Sequence, residues 1–348
     1  MVTMQEIGDS LGVSKAAVSL VLNGKDQGRI RRETAQAIRQ TAQVMGYSPK
    51  KTSYSSEKKT RILGFISDHI ATSPYAGRLI FGAQEAARQL GYIIVAVNTD
   101  GDDQLQASEI SALKSYGVDG FLYACVYNQV IHLPQSLNGE RVVIVDATDT
   151  SGHVPSIIPD ERHIGRTATR HLIDVGCKRI AFIGSFGPMQ AQRGRLAGYC
   201  KELTEHGIAV DDNLIVNVEM GQDGMEKVAH LVDQYQPDGF FCFNDARAWY
   251  VYSAAMRRGL NVGQDISVVG VDNHQVVAEM MAPSLTTIEL PHYEMGYWAT
   301  LKLISLIERR RLDDLKLLPT NAPIPSLDRI HAQVKCVLIE KESVVGHS

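Results

Sequence analysis

Residues 3–24, TMQEIGDSLGVSKAAVSLVLNG, decide how the chain begins to fold. From Thr3 to Leu11 apolar side chains recur at Met4, Ile7 and Leu11, the spacing of one helix face. Gly12 interrupts that spacing, and Ser14 stands where a hydroxyl caps a second helix, KAAVSLVLN, which ends at Asn23-Gly24. Two short helices that cross closely need a small residue inside the first, a glycine in the turn and an apolar anchor in the second. Gly8, Gly12 and Val18 fill those places. Glycine inside a helix costs about 1 kcal/mol relative to alanine, so close packing explains Gly8 better than propensity does. A third apolar-periodic stretch runs from about Glu33 to Met45 through Ala37, Ile38 and Ala42, with Gly46 as its stop, completing a three-helix module over 1–47. A generic helical cap on a larger body reads the same way from spacing alone.

Charge separates the two readings. Residues 1–61 hold 11 Lys+Arg against 5 Asp+Glu, net +6, which leaves 24 against 34, net −10, for the remainder of the 348-residue chain. A small basic module on an acidic body suits contact with a polyanion through the module alone. Between them, residues 48–60, SPKKTSYSSEKKT, lack apolar periodicity and have the composition of a linker.

Beyond the linker, short apolar runs alternate with amphipathic stretches. ILGFI, YIIVAVN, GFLYACV and RVVIVDA are interleaved with helices near 75–90 and 103–116. RIAFIGS, LIVNVEM, GFFCFN and ISVVGVD follow, interleaved with helices near 190–206, 222–235 and 246–258. This is βαβ text written twice, with continuous Val-, Ile- and Phe-rich runs that suit parallel strands covered on both faces. The fold class is therefore α/β: an N-terminal three-helix helix-turn-helix followed by a doubly wound body of two subdomains. The expected boundaries are 1–47, 48–60 and 61–348, the body dividing into about 61–160 plus 291–320 and about 161–290 plus 321–348. Ligands of such sheets bind beyond the carboxyl ends of the strands, which for two facing subdomains is the cleft between them.

Several function classes lose ground here. No apolar run approaches the roughly 18 residues of a membrane span, and MVTMQEIGDS lacks the basic start and apolar stretch of a secretory signal, so a cytoplasmic protein is expected. Cys125, Cys177, Cys200, Cys242 and Cys336 are far apart, odd in number and without metal-ligand spacing, which reads as reduced thiols. No GxGxxG, GxxxxGK[ST], nucleophile elbow or metal cluster occurs, so no catalytic residue, metal or cofactor is assigned. A secreted sugar-binding protein has a similar two-lobed body, but the basic module and the missing signal argue against it.

At this point GVSKAAVSLVLNG at 12–24, ETAQAI and MGYSP resemble the lactose-repressor/galactose-repressor family of bacterial regulators. Similar text continues as NTDGD at 98–102, HLIDVGCKRIAFIG at 171–184, RLAGY at 195–199, ND at 244–245, ISVVGVD at 266–272 and SLTTIELPHYEMG at 284–296. The resemblance spans nearly the whole chain in order. It implies a periplasmic-binding-protein-like body and a homodimer whose paired modules read two halves of a double-stranded operator. It further implies a small sugar-like effector that changes DNA affinity. Carried over by position, Ser14 and Asn23 meet phosphates, while Lys15, Ala16 and Leu20 face base edges; Ser19 and Arg29 complete the expected DNA-facing set. Leu20 offers apolar contact only, so Lys15 is expected to make the main polar base contact; packing against the body is the other reading of Leu20.

A cleft that holds a sugar needs carboxylates and amides for hydroxyl pairs, an arginine to bridge oxygens and an aromatic face. The resemblance places Asp272, Arg195, Asn244, Asp160 and Tyr75 there, with Asp146 and Asp100 as further candidates. Asp272 and Asn244 equally suit helix caps, Arg195 a structural ion pair, Tyr75 the core, and Asp146 and Asp100 turns. Two departures stand out. The linker lacks the leucine that relatives wedge into the minor groove, its place falling near Ser56, so either the hinge is built differently or groove kinking is weak. Val218-Glu219-Met220 stands where relatives carry an aromatic platform, and Arg247 and Trp249 are unusual; an Arg247 facing the cleft favours a charged effector, whereas Trp249 suits interface or core. A corepressor-dependent regulator, a non-sugar ligand and a binding protein without regulation are the alternatives left open.

Overall fold

The computed structural model describes residues 2–22, 26, 28–47, 60–69, 76–187, 189–312, 320–344 and 346. The chain forms two compact units, Met1–Lys58 and Lys59–Ser348.

In the first unit α1 (Met4–Leu11), α2 (Lys15–Leu22) and α3 (Arg32–Val44) enclose Ile7, Val18, Val21, Ala35, Ile38 and Ala42. Thr3 starts α1 with a capping box: its hydroxyl accepts the Glu6 N–H at 3.2 Å, while Glu6 Oε2 accepts the Thr3 N–H at 2.7 Å. Gly12 ends α1 in the left-handed region at φ 65°. Gly8 meets the next segment so closely that a Cβ there would lie 2.7 Å from the Val13 carbonyl oxygen, which bears out close packing as its reason.

The second unit runs β1 (Ile62–Ser67), α4 (Ala76–Gln89), β2 (Ile93–Asn98), α5 (Asp103–Ser115), β3 (Gly120–Ile131), β4 (Val142–Asp149) and β5 (Ser156–Pro159). It continues through α6 (Glu161–Asp174), β6 (Ile180–Gly184), α7 (Gln190–Glu205), β7 (Ile215–Asn217), α8 (Gln222–Tyr235), β8 (Gly239–Cys242) and α9 (Asp245–Arg257). Last come β9 (Ser267–Asp272), α10 (Gln275–Met280), β10 (Thr286–Glu289), α11 (His292–Glu308), β11 (His331–Val334) and β12 (Val337–Ile339). The strands make two six-stranded sheets, β11-β5-β4-β3-β1-β2 and β12-β10-β9-β8-β6-β7. Among the described residues every strand pairing is parallel except β10 with β12. Helices cover both faces: Leu79, Ala83, Trp298 and Leu301 of α4 and α11 pack on one side of the first sheet, Ile110 and Leu113 of α5 on the other. On the second sheet Ile164, Ala168 and Tyr199 of α6 and α7 oppose Val228, Val251 and Ala278 of α8, α9 and α10.

The chain passes between the sheets three times, after β5, after β10 and between β11 and β12. One assignment needs correcting. Residues 321–348 read as part of the second subdomain, yet His331–Val334 pairs in parallel with β5 of the first sheet, and Ala322, Ala332 and Val334 join that sheet's core. The run HAQV is too short to declare a sheet; alternate burial of Ala332 and Val334 against α11's side of the first sheet decides it.

Helices α6 and α7 touch backbone to backbone. A Cβ on Gly165 would lie 2.1 Å from the Arg195 carbonyl oxygen, and one on Gly198 would lie 2.3 Å from that of Arg162. Gly198→Ala is therefore expected to lower stability by about 1–3 kcal/mol, although helix propensity alone favours alanine by about 1 kcal/mol. A thermal melt of the whole chain reads the sign: a fall of several degrees is expected, and a rise would remove the packing argument.

Candidate functional sites

The first site is the exposed side of α2. Val18 and Val21 turn into the module core, while Lys15 and Ala16 are exposed and Ser19 and Leu20 half-buried. Leu20 is not among the apolar side chains packed on the three-helix core. Ser14 is exposed and caps the helix, its Oγ accepting the Ala17 N–H at 3.2 Å. Arg29, Arg31 and Arg32 are exposed at the start of α3, whereas Arg39 is paired with Asp26 at 2.8 Å. Among the described residues the module thus exposes an ammonium, three guanidinium groups and the apolar surface of Ala16, the chemistry that a phosphate-lined groove accepts. Asn23, and the linker apart from Thr60, lie outside the described residues.

The second site is a cavity of about 650 Å³, counting its open mouth, at the carboxyl ends of β1, β5 and β9 and beside the interrupted stretch of β3 and β4. It lies at two of the chain's passages between sheets, since Pro159 and Glu161 flank the first and Leu290 and His292 the second. Backbone irregularity supplies much of its lining. The β3–β4 ladder breaks between Ala124 and Gln129, which presents Tyr127 (φ 63°) and Asn128 to the cavity. Asp146 sits opposite that break at φ 57°, and Asp272 ends β9 at φ 119° followed by Asn273 at φ 50°. Non-glycine residues held at such angles store strain of order 1–3 kcal/mol each and cluster at ligand sites.

Arg195 crosses the floor of the cavity. Its Nε donates to Glu161 Oε2 at 2.8 Å, its Nη1 donates to the Phe243 carbonyl, and its Cζ lies 4.5 Å from the centre of the Phe243 ring. Three buried acceptors lining the cavity have no hydrogen-bond partner among the described residues: Asp146 Oδ1, Glu161 Oε1 and Asn128 Oδ1. Unsatisfied buried acceptors are costly, so this set calls for a partner that brings donors. Burial pushes the Asp146 carboxyl well above the usual carboxylate range, Glu161 and Asp272 add to the shift, and Arg195 opposes it. Desolvation, with Arg78 and Arg195 nearby, holds the His292 imidazole down to about 4, so it is neutral at pH 7. Behind Asp272, the buried Asp245 carboxylate accepts the Thr287 hydroxyl at 2.6 Å and the His274 N–H at 2.8 Å, tying down the turn that carries Asp272.

Of the residues expected here, Arg195, Asp272 and Asp146 meet in the cavity, Tyr75 lies outside the described residues, and two do not line it. Asp160 caps α6, accepting the His163 N–H at 3.0 Å, and the carboxylate that enters the cavity is its neighbour Glu161. Asn244 caps α9, accepting the Arg247 N–H at 3.1 Å. Asp100 is exposed in a turn, 3.3 Å from His69. Arg247 also misses the cavity: its guanidinium donates to the Gly184 and Val218 carbonyls, Ser185 Oγ and Asn244 Oδ1, so the premise for an anionic ligand is withdrawn. Trp249 is 47% exposed on α9 and belongs neither to core nor cavity. Glu161, Asn128 and Tyr127 were not singled out from the sequence. The adjacency of Glu161 to Asp160 is a usable signal, but nothing in GFLYACVYNQV marks a break in a strand.

The model described as "Periplasmic binding proteins and sugar binding domain of LacI family" matches residues 60–323, and "Bacterial regulatory proteins, lacI family" matches residues 3–50. The chain is 31% identical over 329 residues to the ribose operon repressor of Escherichia coli K12, covering 91% of this chain and 96% of that protein. Among solved structures, a LacI-family regulator from Rhizobium etli aligns with TM-score 0.71 and 27% identity, covering 82% of this chain and 99% of that one. The regulator CelR, solved with cellobiose, aligns with TM-score 0.66 and 23% identity over 99% of this chain and 100% of that one.

Asp146 generates a pH prediction. Below about pH 4 its carboxyl is protonated in both folded and unfolded chains and contributes no pH dependence. As pH rises past that value the unfolded chain ionises while the folded chain stays protonated, so stability is lost until pH passes the raised folded-state value. Asp146→Asn removes that loss. Its melting temperature is expected to exceed that of the unmodified chain by a margin that grows from pH 4 to pH 7, and a margin independent of pH would contradict the assignment.

Proposed function

The chain belongs to the lacI family of bacterial regulatory proteins, and from that premise we propose that it is a homodimeric, cytoplasmic, operator-binding repressor of carbohydrate genes, controlled by a sugar-like effector. Its DNA-binding domain is 1–47, its linker 48–60 and its effector-binding and dimerisation domain 61–348, with residues 321–334 assigned to the first subdomain. Two modules in a dimer read two half-sites, because one α2 reaches only half of an operator. Ser14 and Asn23 take phosphates, Lys15, Ala16, Ser19 and Leu20 face the bases, and Arg29 adds charge along the backbone.

The observation that carries this reading is the cavity lined from both sheets, with unpartnered acceptors beside Arg195 at the chain's passages between them. A donor-rich ligand that satisfies Asp146 and Asn128 from one sheet and Glu161, Arg195 and Asp272 from the other favours one arrangement of the subdomains over another. Differential affinity of that kind is what a ligand needs to shift a two-state equilibrium and hence the spacing of paired DNA-binding modules. The kinship with a ribose operon repressor supports a carbohydrate as the class of effector.

Selection of bound duplexes from a random DNA pool tests the core of the proposal. A two-fold symmetric site is expected, and binding without sequence preference would sink it. On that site Lys15→Ala is expected to cost about 1–3 kcal/mol at fixed salt and to relax one base position. Arg29→Ala is expected to weaken specific and random DNA alike and to reduce the salt slope by about one. Fluorescence anisotropy across a salt series separates the two behaviours.

A further inference from the structure

The cavity carries more negative charge than positive. Glu161 and Asp272 reach it from the first turn of α6 and the end of β9 and stand against the single charge of Arg195, while the Asp146 carboxyl, from β4, is held toward its protonated form by burial and by Glu161, Asp272 and Asp68 and ionises only against an arriving cation. Arg195 is the one guanidinium among the described lining residues, and it is already engaged by Glu161 Oε2 and the Phe243 carbonyl. His292 adds no cation at pH 7, and the other lining imidazole, His69, faces the Asp100 carboxylate at 3.3 Å. A ligand that closes over this cavity displaces the water that screens these carboxylates, which makes an uncompensated charge more costly. An anionic ligand adds to the repulsion. A neutral polyol brings donors but leaves the charge in place. An ammonium group brings three donors, no acceptor and the missing charge, and two of the cavity's unpartnered acceptors, Asp146 Oδ1 and Glu161 Oε1, belong to carboxyl groups, the first of which releases its proton to meet that charge.

Resting on the reading of this cavity as the effector site, we propose that the effector is an amino sugar whose protonated amine is taken by Asp146 and Glu161, with its hydroxyls on Asn128, Asp272 and Arg195. The amine sets selectivity by charge, and the hydroxyls supply the contacts common to sugar ligands. Neutral sugars of the same frame bind only with Asp146 kept protonated, and sugar acids and phosphates are rejected.

Isothermal titration of the full chain at pH 7 tests this with matched sets: D-glucosamine, D-glucose and D-gluconate, and the corresponding galacto and manno compounds. In at least one set the amine is expected to bind at least tenfold tighter than the neutral hexose, with no measurable binding of the acid. Asp146→Asn and Glu161→Gln are each expected to shrink the advantage of the amine over the neutral sugar by fivefold or more. A neutral hexose that binds as tightly as its amine, variants that leave the ratio unchanged, or no binding by any amine would each overturn the proposal. Adding each binder to the operator complex keeps the two ideas apart. A neutral sugar that binds and alters operator affinity refutes the amine but upholds the effector site, whereas an amine that binds and leaves operator affinity unchanged refutes the effector site itself.

Discussion

The buried pair of Glu161 and Arg195 is the constraint on which the body depends. Its two members stand on different helices, and they meet only because α6 and α7 cross at glycine, where any side chain would strike the opposite backbone. A Cβ on Gly194 would lie 2.4 Å from the Cβ of Glu161, so the same close crossing seats the carboxylate beside the guanidinium. Taking two charges out of water is expensive, and the mutual attraction offsets that cost only when the remaining donors and acceptors are satisfied. Arg195 satisfies its side through the Phe243 carbonyl and ring, but Glu161 keeps one oxygen bare. The packing is complete and the hydrogen bonding is not, and that unfinished part faces the cavity.

Strain and electrostatics concentrate at the same place. Tyr127, Asp146, Asp272 and Asn273 all adopt positive φ, and the first three line the cavity. An interrupted β3–β4 ladder frees backbone that a regular sheet would consume, and Asn128, within the interruption, lines the cavity with its Oδ1 buried. Asp245 then holds the Asp272 turn from behind through the Thr287 hydroxyl and the His274 N–H. The result is a rigid arrangement of acceptors prepared before a ligand arrives, which reduces the ordering cost of binding. Residues on both sheets contribute, so occupancy and the relation of the sheets are linked properties.

In the DNA-binding module chemistry is divided differently. Core formation falls to Ile7, Val18, Val21, Ala35, Ile38 and Ala42, and on the other side of α2 Lys15 and Ala16 are exposed while Ser14 caps the helix. Among the described residues of that side Lys15 carries the one ammonium, while Arg29, Arg31 and Arg32 are exposed at or just before the start of α3.

Much of this was legible in the chain itself. Apolar periodicity placed the helices of the module, and α4, α5, α7, α8 and α9 begin and end within about a residue or two of the expected positions, because period and caps are local properties. Charge partition and motif text set out the regulator, and the family models match both parts. Arg195, Asp146 and Asp272 were visible through the family resemblance. Which of two adjacent acids enters the cavity was not: Asp160 and Glu161 differ only in which one the helix uses as its cap. A cap was one reading of Asn244, but the diversion of the Arg247 guanidinium to the Gly184 and Val218 carbonyls was not legible, nor was the return of His331–Val334 to the first sheet or the break in β3. Local sequence by itself determined where helices and strands form and what charge each part carries, since those depend on neighbours along the chain. Only the tertiary structure decided which polar groups are consumed by caps and ion pairs and which remain bare, because that depends on partners more than thirty residues away, as with Glu161 and Arg195.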